Sequence, residues 1–286
     1  MILIVGATGY LGGMITRRLL AQGRLVRVLV RAGSDYRPLV VAGAAPALGD
    51  LRQRDTLDVA CRGVDTVITT AVARMHADPM AAQAINLDGY LNLIDAAKAA
   101  RVKHFIFTSA LGCHPNSPVP FVAAKGRVEQ ALRASGIPYT ILAPDIFTDI
   151  WIMAVIGGPA LRGAPVWLVG GGRDRHSFVA AADVAAFTAN MLDNPAATNQ
   201  TIPVGGPAAL SWLDAVGVFE QILGRPIQVN HVQPGEPLPG LPPFISELMA
   251  GFARYDSLVP MDETATRFGV QLTSVEEFVK RAQAGT

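Results

Sequence analysis

Met1-Ile2-Leu3-Ile4-Val5-Gly6-Ala7-Thr8-Gly9-Tyr10-Leu11-Gly12-Gly13 is the stretch on which the fold turns. Ile2 to Val5 are apolar without alternation, which predicts a strand buried on both faces, and the glycines turn the chain straight from it into a helix. A tight turn calls for residues without a Cβ. Bare backbone lets a pyrophosphate approach, and the helix start adds unpaired N–H groups and the positive end of a dipole. The helix runs from Leu11 to Gln22, and Gly23 suits its C-cap. Gly6, Thr8, Gly9, Tyr10, Leu11 and Gly12 are therefore the candidate holders of a dinucleotide.

Outward from this unit, strand and helix signals alternate through the first half of the chain. Strands are expected near 1–5, 25–30, 45–48, 65–70, 103–109 and 138–143, and helices near 11–22, 51–60, 80–100 and 121–135. That order predicts parallel βαβ units with right-handed crossovers, hence an α/β fold with a Rossmann-type doubly wound parallel sheet. Asn86 and Asn92, poor helix formers inside 80–100, serve either as local hydrogen-bonding groups to neighbouring turns or as organisers of the site.

After Pro144 the texture changes. Residues 146–161 are rich in Ile, Trp and Met and are broken by Gly157-Gly158-Pro159, and 234–243 hold Pro234, Pro237, Pro239, Pro242 and Pro243. Residues 1–145 are expected to be the nucleotide-binding domain. Residues 146–286 are expected to be a mixed segment forming a small C-terminal substrate-binding lobe, with 176–204 returning to the main sheet. Phe244, Ile245, Leu248, Met249 and Phe252 repeat at helical spacing, as ordinary core or as the lining of an apolar pocket.

With 286 residues, half of them apolar, the chain can bury a large core, and its formal net charge of +1 comes without Lys/Arg runs. That balance excludes direct nucleic-acid binding through a basic face. The glycine loop interrupts the N-terminal apolar run, and no stretch reaches the roughly 18 residues of a spanning helix. The reading is a cytoplasmic protein with a small-molecule substrate and no nucleic acid or membrane partner, with monomer and dimer both open. Cys61 and Cys113 lack CxxC spacing, so neither a structural disulfide nor a metal site is expected.

The second strand ends at Arg31, nineteen positions after Gly12. A site that prefers NAD presents Asp or Glu there to the ribose 2′-hydroxyl, whereas Arg accommodates a 2′-phosphate. Arg37 follows six residues on and Ser34 adds a hydroxyl, so the loop from Arg31 to Arg37 points to NADP(H), although Asp35 adds a negative charge beside it.

The spacing G-x-x-G-x-x-G is accompanied by Phe107-Thr108-Ser109-Ala110, by Lys125-Gly126-Arg127-Val128-Glu129 and by Ser135-Gly136-Ile137-Pro138-Tyr139-Thr140-Ile141-Leu142. With Asp183-Val184-Ala185 and the closing Ser274-Val275-Glu276-Glu277-Phe278, the chain resembles, nearly end to end, the atypical NmrA-like branch of the short-chain dehydrogenase/reductase superfamily. The resemblance implies that Asp50 and Leu51 sit beside the adenine, Asp50 being otherwise a simple turn residue. It also implies that Thr70, Ala71 and Val72 run along the pyrophosphate and ribose. Pro144, Ile146 and Phe147 then occupy the place where relatives contact the nicotinamide amide, with Asp145 standing where a Gly is usual.

Ser109 ends a strand at the carboxyl edge, where ligands of such sheets lie. The resemblance implies that it orients a substrate carbonyl, and that a Tyr four residues before a Lys handles the proton while the Lys grips the ribose. Here Phe121 stands four residues before Lys125, and a phenyl ring has no exchangeable proton. One substitute acid is Lys125 itself, desolvated and shifted toward neutrality, a use that isoflavone-reductase-like relatives imply; the other reading leaves it as the ribose grip alone. His114, on the loop from Gly112 to Pro120, is the second acid candidate. A quinone, dye or conjugated C=C would delocalise the developing charge and need no dedicated acid. Phe147, Trp151, Met153 and Phe244 suit such a flat acceptor, and His176 either edges the pocket or sits satisfied at the surface.

These features point to an NADPH-dependent reductase delivering hydride to a small, largely apolar quinone, dye, enone or carbonyl compound. The missing Tyr favours a rival, a non-catalytic NADP(H) sensor of the NmrA type. A scaffold or assembly factor that keeps the nucleotide for structure is a third reading.

Overall fold

In a computed structural model of the chain, which describes residues 1–73 and 78–284 with the backbone alone at Phe244 and Ala284, the opening run forms β1 (Ile2–Val5). Every residue of it is buried, and the glycine turn leads into α1 (Tyr10–Ala21). β2 (Val26–Val30), a short α2 (Arg37–Val41), β3 (Ala45–Leu48), α3 (Arg54–Cys61) and β4 (Thr66–Thr69) follow. The helix expected over 80–100 is α4 (Pro79–Gln83) and α5 (Gly89–Ala99), joined by a π turn over Ala84–Asp88. β5 (His104–Thr108), α6 (Pro120–Ala134) and β6 (Tyr139–Pro144) complete the first half.

A π-helical segment, Thr148–Gly157, then runs into α7 (Gly158–Leu161). Next come β7 (Val166–Val169), β8 (Arg175–His176), α8 (Ala181–Met191), β9 (Gln200–Val204) and β10 (Leu210–Ser211). α9 (Trp212–Leu223), β11 (Val229–Val232), α10 (Pro243–Phe252), α11 (Asp262–Phe268) and α12 (Val275–Ala284) close the chain.

The main sheet has the order β3-β2-β1-β4-β5-β6-β9, and the register pairs from β3 through β6 are all parallel. The order reverses between β1 and β4, so the crevice for a ligand lies at their carboxyl ends, beside Gly6 and Thr70. One face of the sheet packs α3, α5 and α6 through Leu3, Leu57, Val67, Leu93, Phe105 and Val128, which removes their side chains from water and holds the loops at that carboxyl edge.

Two compact units divide the chain: Met1–Pro144 with Val184–Pro203, and Asp145–Asp183 with Val204–Thr286. The segment that rejoins the main sheet thus begins at Val184, later than the 176 read from the sequence. Arg175–His176 instead pairs antiparallel with Leu210–Ser211 inside the second unit. Long-range bonds decide this: Ser257 N–H donates to the Arg175 carbonyl at 2.8 Å, and Ser177 N–H to the Ser257 carbonyl at 3.0 Å. The second unit has its own core, with Ile152, Phe178, Trp212, Phe219 and Val279, and α10 adds Ile245 and Met249 to it. The side chain of Phe244 lies outside the described residues. Asp183 lies in the first turn of α8 and anchors 273 to it, its carboxylate accepting from Thr273 N at 2.7 Å and Thr273 Oγ1 at 3.0 Å. Among the described residues no helix is long and apolar enough to cross a membrane.

Candidate functional site

At the start of α1 the glycines bring three backbones together. Gly6 has φ +94°, and a Cβ on it would lie 2.8 Å from Ala71 N and from Thr70 Oγ1; a Cβ on Gly12 would lie 2.2 Å from the Gly6 carbonyl oxygen. No side chain caps α1 at Gly9 and its first turn holds no acid, so nothing there opposes an anion at the positive end of the helix. The loop after β4 is held from behind. Tyr90, wholly buried, donates its hydroxyl proton to the Ala71 carbonyl at 2.5 Å, and Asn86 Oδ1 in the π turn accepts from Ala73 N at 2.8 Å. Asn92 Nδ2 donates to the carbonyl of buried Leu51 at 3.2 Å. Both asparagines therefore hydrogen-bond loops at the carboxyl edge, Asn86 the loop after β4 and Asn92 the loop after β3.

A cavity of about 370 Å³ opens beside the glycine loop, lined among others by Thr8, Gly9, Tyr10, Gly13, Arg17 and Asp35. Arg17 was not singled out by sequence reasoning, because an exposed Arg on an amphipathic helix is ordinary. Its guanidinium folds back over Gly13, where a Cβ would stand 3.3 Å from Nη1. Arg31 and Arg37 are exposed, and Ser34 Oγ donates to the Arg31 carbonyl at 2.8 Å. Asp50 is held below the usual carboxylate range, chiefly by its hydrogen bonds from Arg52 at 2.7 and 2.9 Å, with the Arg31 charge adding a little. It also accepts from Arg52 N at 2.9 Å, as a turn residue does. Val72 is exposed on the far side of that crevice.

The candidate catalytic residues lie at the end of β5. Lys125 is buried in α6, and its Nζ donates to the Thr108 carbonyl at 2.8 Å while lying 5.0 Å from the Phe107 ring centroid and 5.3 Å from that of Phe121. Burial pulls its pKa down to about 8, against the Glu129 charge and, where that thiol is ionised, Cys113, which push it up. Ser109 donates its single hydroxyl proton to Glu129 Oε1 at 2.5 Å, and Glu129 Oε2 accepts from Arg133 at 2.7 Å. Ser109 so placed offers lone pairs rather than a donor to anything else. Thr108 Oγ1 beside it is buried without a partner.

The loop after β5 crosses α6 at Gly126, where a Cβ would stand 2.4 Å from the His114 carbonyl carbon. That approach sets Cys113, half-buried, beside Lys125 and Ser109. Burial raises the Cys113 pKa, which keeps it a thiol. His114 is exposed, and its Nδ1 accepts from Asn116 N at 3.2 Å. The structure brings Lys125, Ser109 and Cys113 together and leaves the imidazole outside. Pro144 is tied to the same loop, its carbonyl accepting from Leu111 N at 2.9 Å.

In the second unit Ile146 is buried and Phe147 half-buried, bridged to Val179. Asp145 accepts from Ser177 N at 2.8 Å and from Ser257 Oγ at 2.7 Å, and Ser257 Oγ lies 2.7 Å from His176 Nδ1. With its own proton given to Asp145, Ser257 accepts from His176, which places the imidazole proton on Nδ1. His176 is wholly buried, edge-on to Phe178, Trp212, Phe252 and Tyr255, and this overturns the surface reading of it. Burial lowers its pKa and raises that of Asp145. Trp151 stands edge-on to Phe252 at 5.6 Å in the same unit.

Comparison with known proteins extends this picture. A model described as the NmrA-like family matches residues 1–279. The chain is 33% identical to an NAD(P)H azoreductase of Xenophilus azovorans over 80% of its own length and 76% of that protein. It is 31% identical to a photosystem II assembly factor of Trieres chinensis, over 81% of the chain and 72% of that protein. Among solved structures, an NADPH-dependent quinone oxidoreductase of Escherichia coli complexed with NADPH shares the fold at TM-score 0.83 and 21% identity, over 99% of each chain.

Proposed function

The chain belongs to the NmrA-like family, and from that premise we propose that it is an NADPH-dependent reductase passing hydride to a small, flat, largely apolar acceptor such as a quinone, dye, enone or carbonyl compound. One observation carries the reading: a lysine buried at the carboxyl edge of the sheet, with its pKa drawn to about 8 and its Nζ fixed on the Thr108 carbonyl. A group so tuned exchanges protons near neutral pH, the requirement for general acid work. The azoreductase relative supports the same reaction class.

The residues present fit a dinucleotide. The amides of Leu11 and Gly12 would take the pyrophosphate, with Thr8, Gly9 and Tyr10 forming the rest of that turn. Arg31, Ser34 and Arg37 would meet the 2′-phosphate, Asp50 and Leu51 the adenine, and Thr70, Ala71 and Val72 the ribose side. Pro144, Ile146 and Phe147 are assigned to the nicotinamide end. NADPH supplies the hydride when bound. Lys125 then gives its proton to the oxygen of a reduced carbonyl, and the neutral amine left behind suits the apolar walls of Phe107 and Phe121 better than the ammonium did. His114, exposed and engaged with Asn116, takes no part in this scheme.

The test is Lys125→Met, assayed at saturating NADPH. Carbonyl reduction, which forms an alkoxide, should fall about 10²–10⁴-fold, while quinone reduction, which needs no dedicated acid, should fall much less. Equal rates for wild type and variant on carbonyl acceptors would refute Lys125 as the acid.

A further inference from the structure

Glu129 is buried, yet nothing in the proposed reaction uses it directly. A carboxylate taken out of water must be held, and this one is held twice, by the Ser109 hydroxyl at 2.5 Å and by the Arg133 guanidinium at 2.7 Å, the latter also bonded to Thr201 Oγ1 at 2.9 Å. It stands one helical turn after Lys125 on α6, on the same face, because residues four apart are neighbours on a helix. Around the Lys125 ammonium stand the Thr108 carbonyl and the Phe107 ring from β5, the Phe121 ring and Glu129 from α6, and the Cys113 thiol from the loop between them. Glu129 is the one carboxylate in that set. Two aromatic faces and a carbonyl dipole favour a cation weakly, and desolvation opposes it strongly.

We propose that Glu129 is the positioning residue of this site: its carboxylate, fixed by Ser109 and Arg133, keeps the enclosed Lys125 protonated and so sets the pH above which the lysine has no proton to give. Ser109 in this arrangement serves the carboxylate and acts on the substrate only through it. The pKa of Lys125, pulled down by burial and pushed back by Cys113 where ionised and by Glu129, agrees with that geometry. The consequence for catalysis rests on the reductase reading; the electrostatic control of Lys125 does not.

The chain has four lysines, Lys98, Lys103, Lys125 and Lys280, so ¹³Cε-lysine NMR can follow each through a pH titration of the whole protein, with Lys125→Arg identifying the signal. Glu129→Gln, which keeps the shape and removes the charge, should lower the Lys125 midpoint by about one pH unit. Glu129→Asp should keep it near wild type. Arg133→Ala, which frees the carboxylate from its ion pair, should raise it, and serves as the deciding variant if Glu129→Gln does not fold. An unmoved Lys125 midpoint in the folded Glu129→Gln protein, or in Arg133→Ala where the former is unfolded, overturns the proposal. The alkaline limb of kcat for a carbonyl acceptor should move with the NMR midpoint. A limb that stays put while the midpoint moves confirms Glu129 and overturns only Lys125 as proton donor.

Discussion

Lys125 is where residue chemistry and stability meet. Its folded pKa of about 8 lies below the ordinary 10.5 of a free lysine, so between those values the unfolded chain binds the extra proton. By linkage, stability then rises with pH across that window and the contribution levels off above it. Lys125→Met removes this slope: between pH 7 and 10 the unfolding free energy of wild type, measured by denaturant titration, should rise relative to that of the variant. A constant difference would show that the amine titrates as in water. At the other end of the crevice, Arg31→Ala should weaken NADPH binding roughly tenfold, the loss of one charge-assisted contact, and leave NADH nearly unchanged. Arg17→Ala should show the same selectivity to a smaller degree. Equal losses for both nucleotides in a fluorescence titration would remove the phosphate-recognition argument. Lys125 stood out in the sequence only through the resemblance, which implies a Tyr where Phe121 lies four residues before it. Glu129 and Arg17 did not, since a helix-surface Glu or Arg gives no sign of the Ser twenty residues upstream or the glycine slot that captures it.

At the scale of elements, continuous apolar runs such as Ile2 to Val5 and Phe105 to Phe107 identified the parallel strands, because a strand covered on both faces has no polar side to advertise. β8 was misplaced for the opposite reason. Two residues carry no period, and Arg175–His176 is a strand only through partners at 210 and 257. The π turn at Ala84–Asp88 was equally silent, although it sets Asn86 against Ala73. The glycine turn is the element most exposed to a single change. Gly12→Ala would drive a methyl to within 2.2 Å of the Gly6 carbonyl oxygen and 2.8 Å of Thr70 Oγ1, and the Gly6 backbone cannot move aside. We expect a loss of about 1–3 kcal/mol in stability from the overpacking, with NADPH affinity falling further than stability accounts for. A variant that melts and binds like wild type would show that α1 does not need the close approach.

For the molecule as a whole, the proteins that the chain resembles include one named for reductive chemistry and one named for assembly, so family and fold together leave the reaction to be argued from the site. The Rossmann-type unit carries both the glycine turn and the lysine; that its sheet is doubly wound and parallel was readable from the alternation of strand and helix signals, whereas the order of its strands came only with the structure. The second unit was harder to read. Its short strands, π-helical segment and proline-rich stretch are held by side-chain bonds such as Asp145 to Ser257 and Asp183 to Thr273, which span about a hundred residues and leave no local pattern. The decisive measurement is the loss of NADPH absorbance, under anaerobic conditions, when the full-length protein is given a naphthoquinone, an azo dye, an enone and an aldehyde in turn. Oxidation of NADPH in step with reduction of at least one of them is the expected result. NADPH that binds tightly, yet stays reduced beside every acceptor, would contradict the assignment and leave a nucleotide sensor in its place.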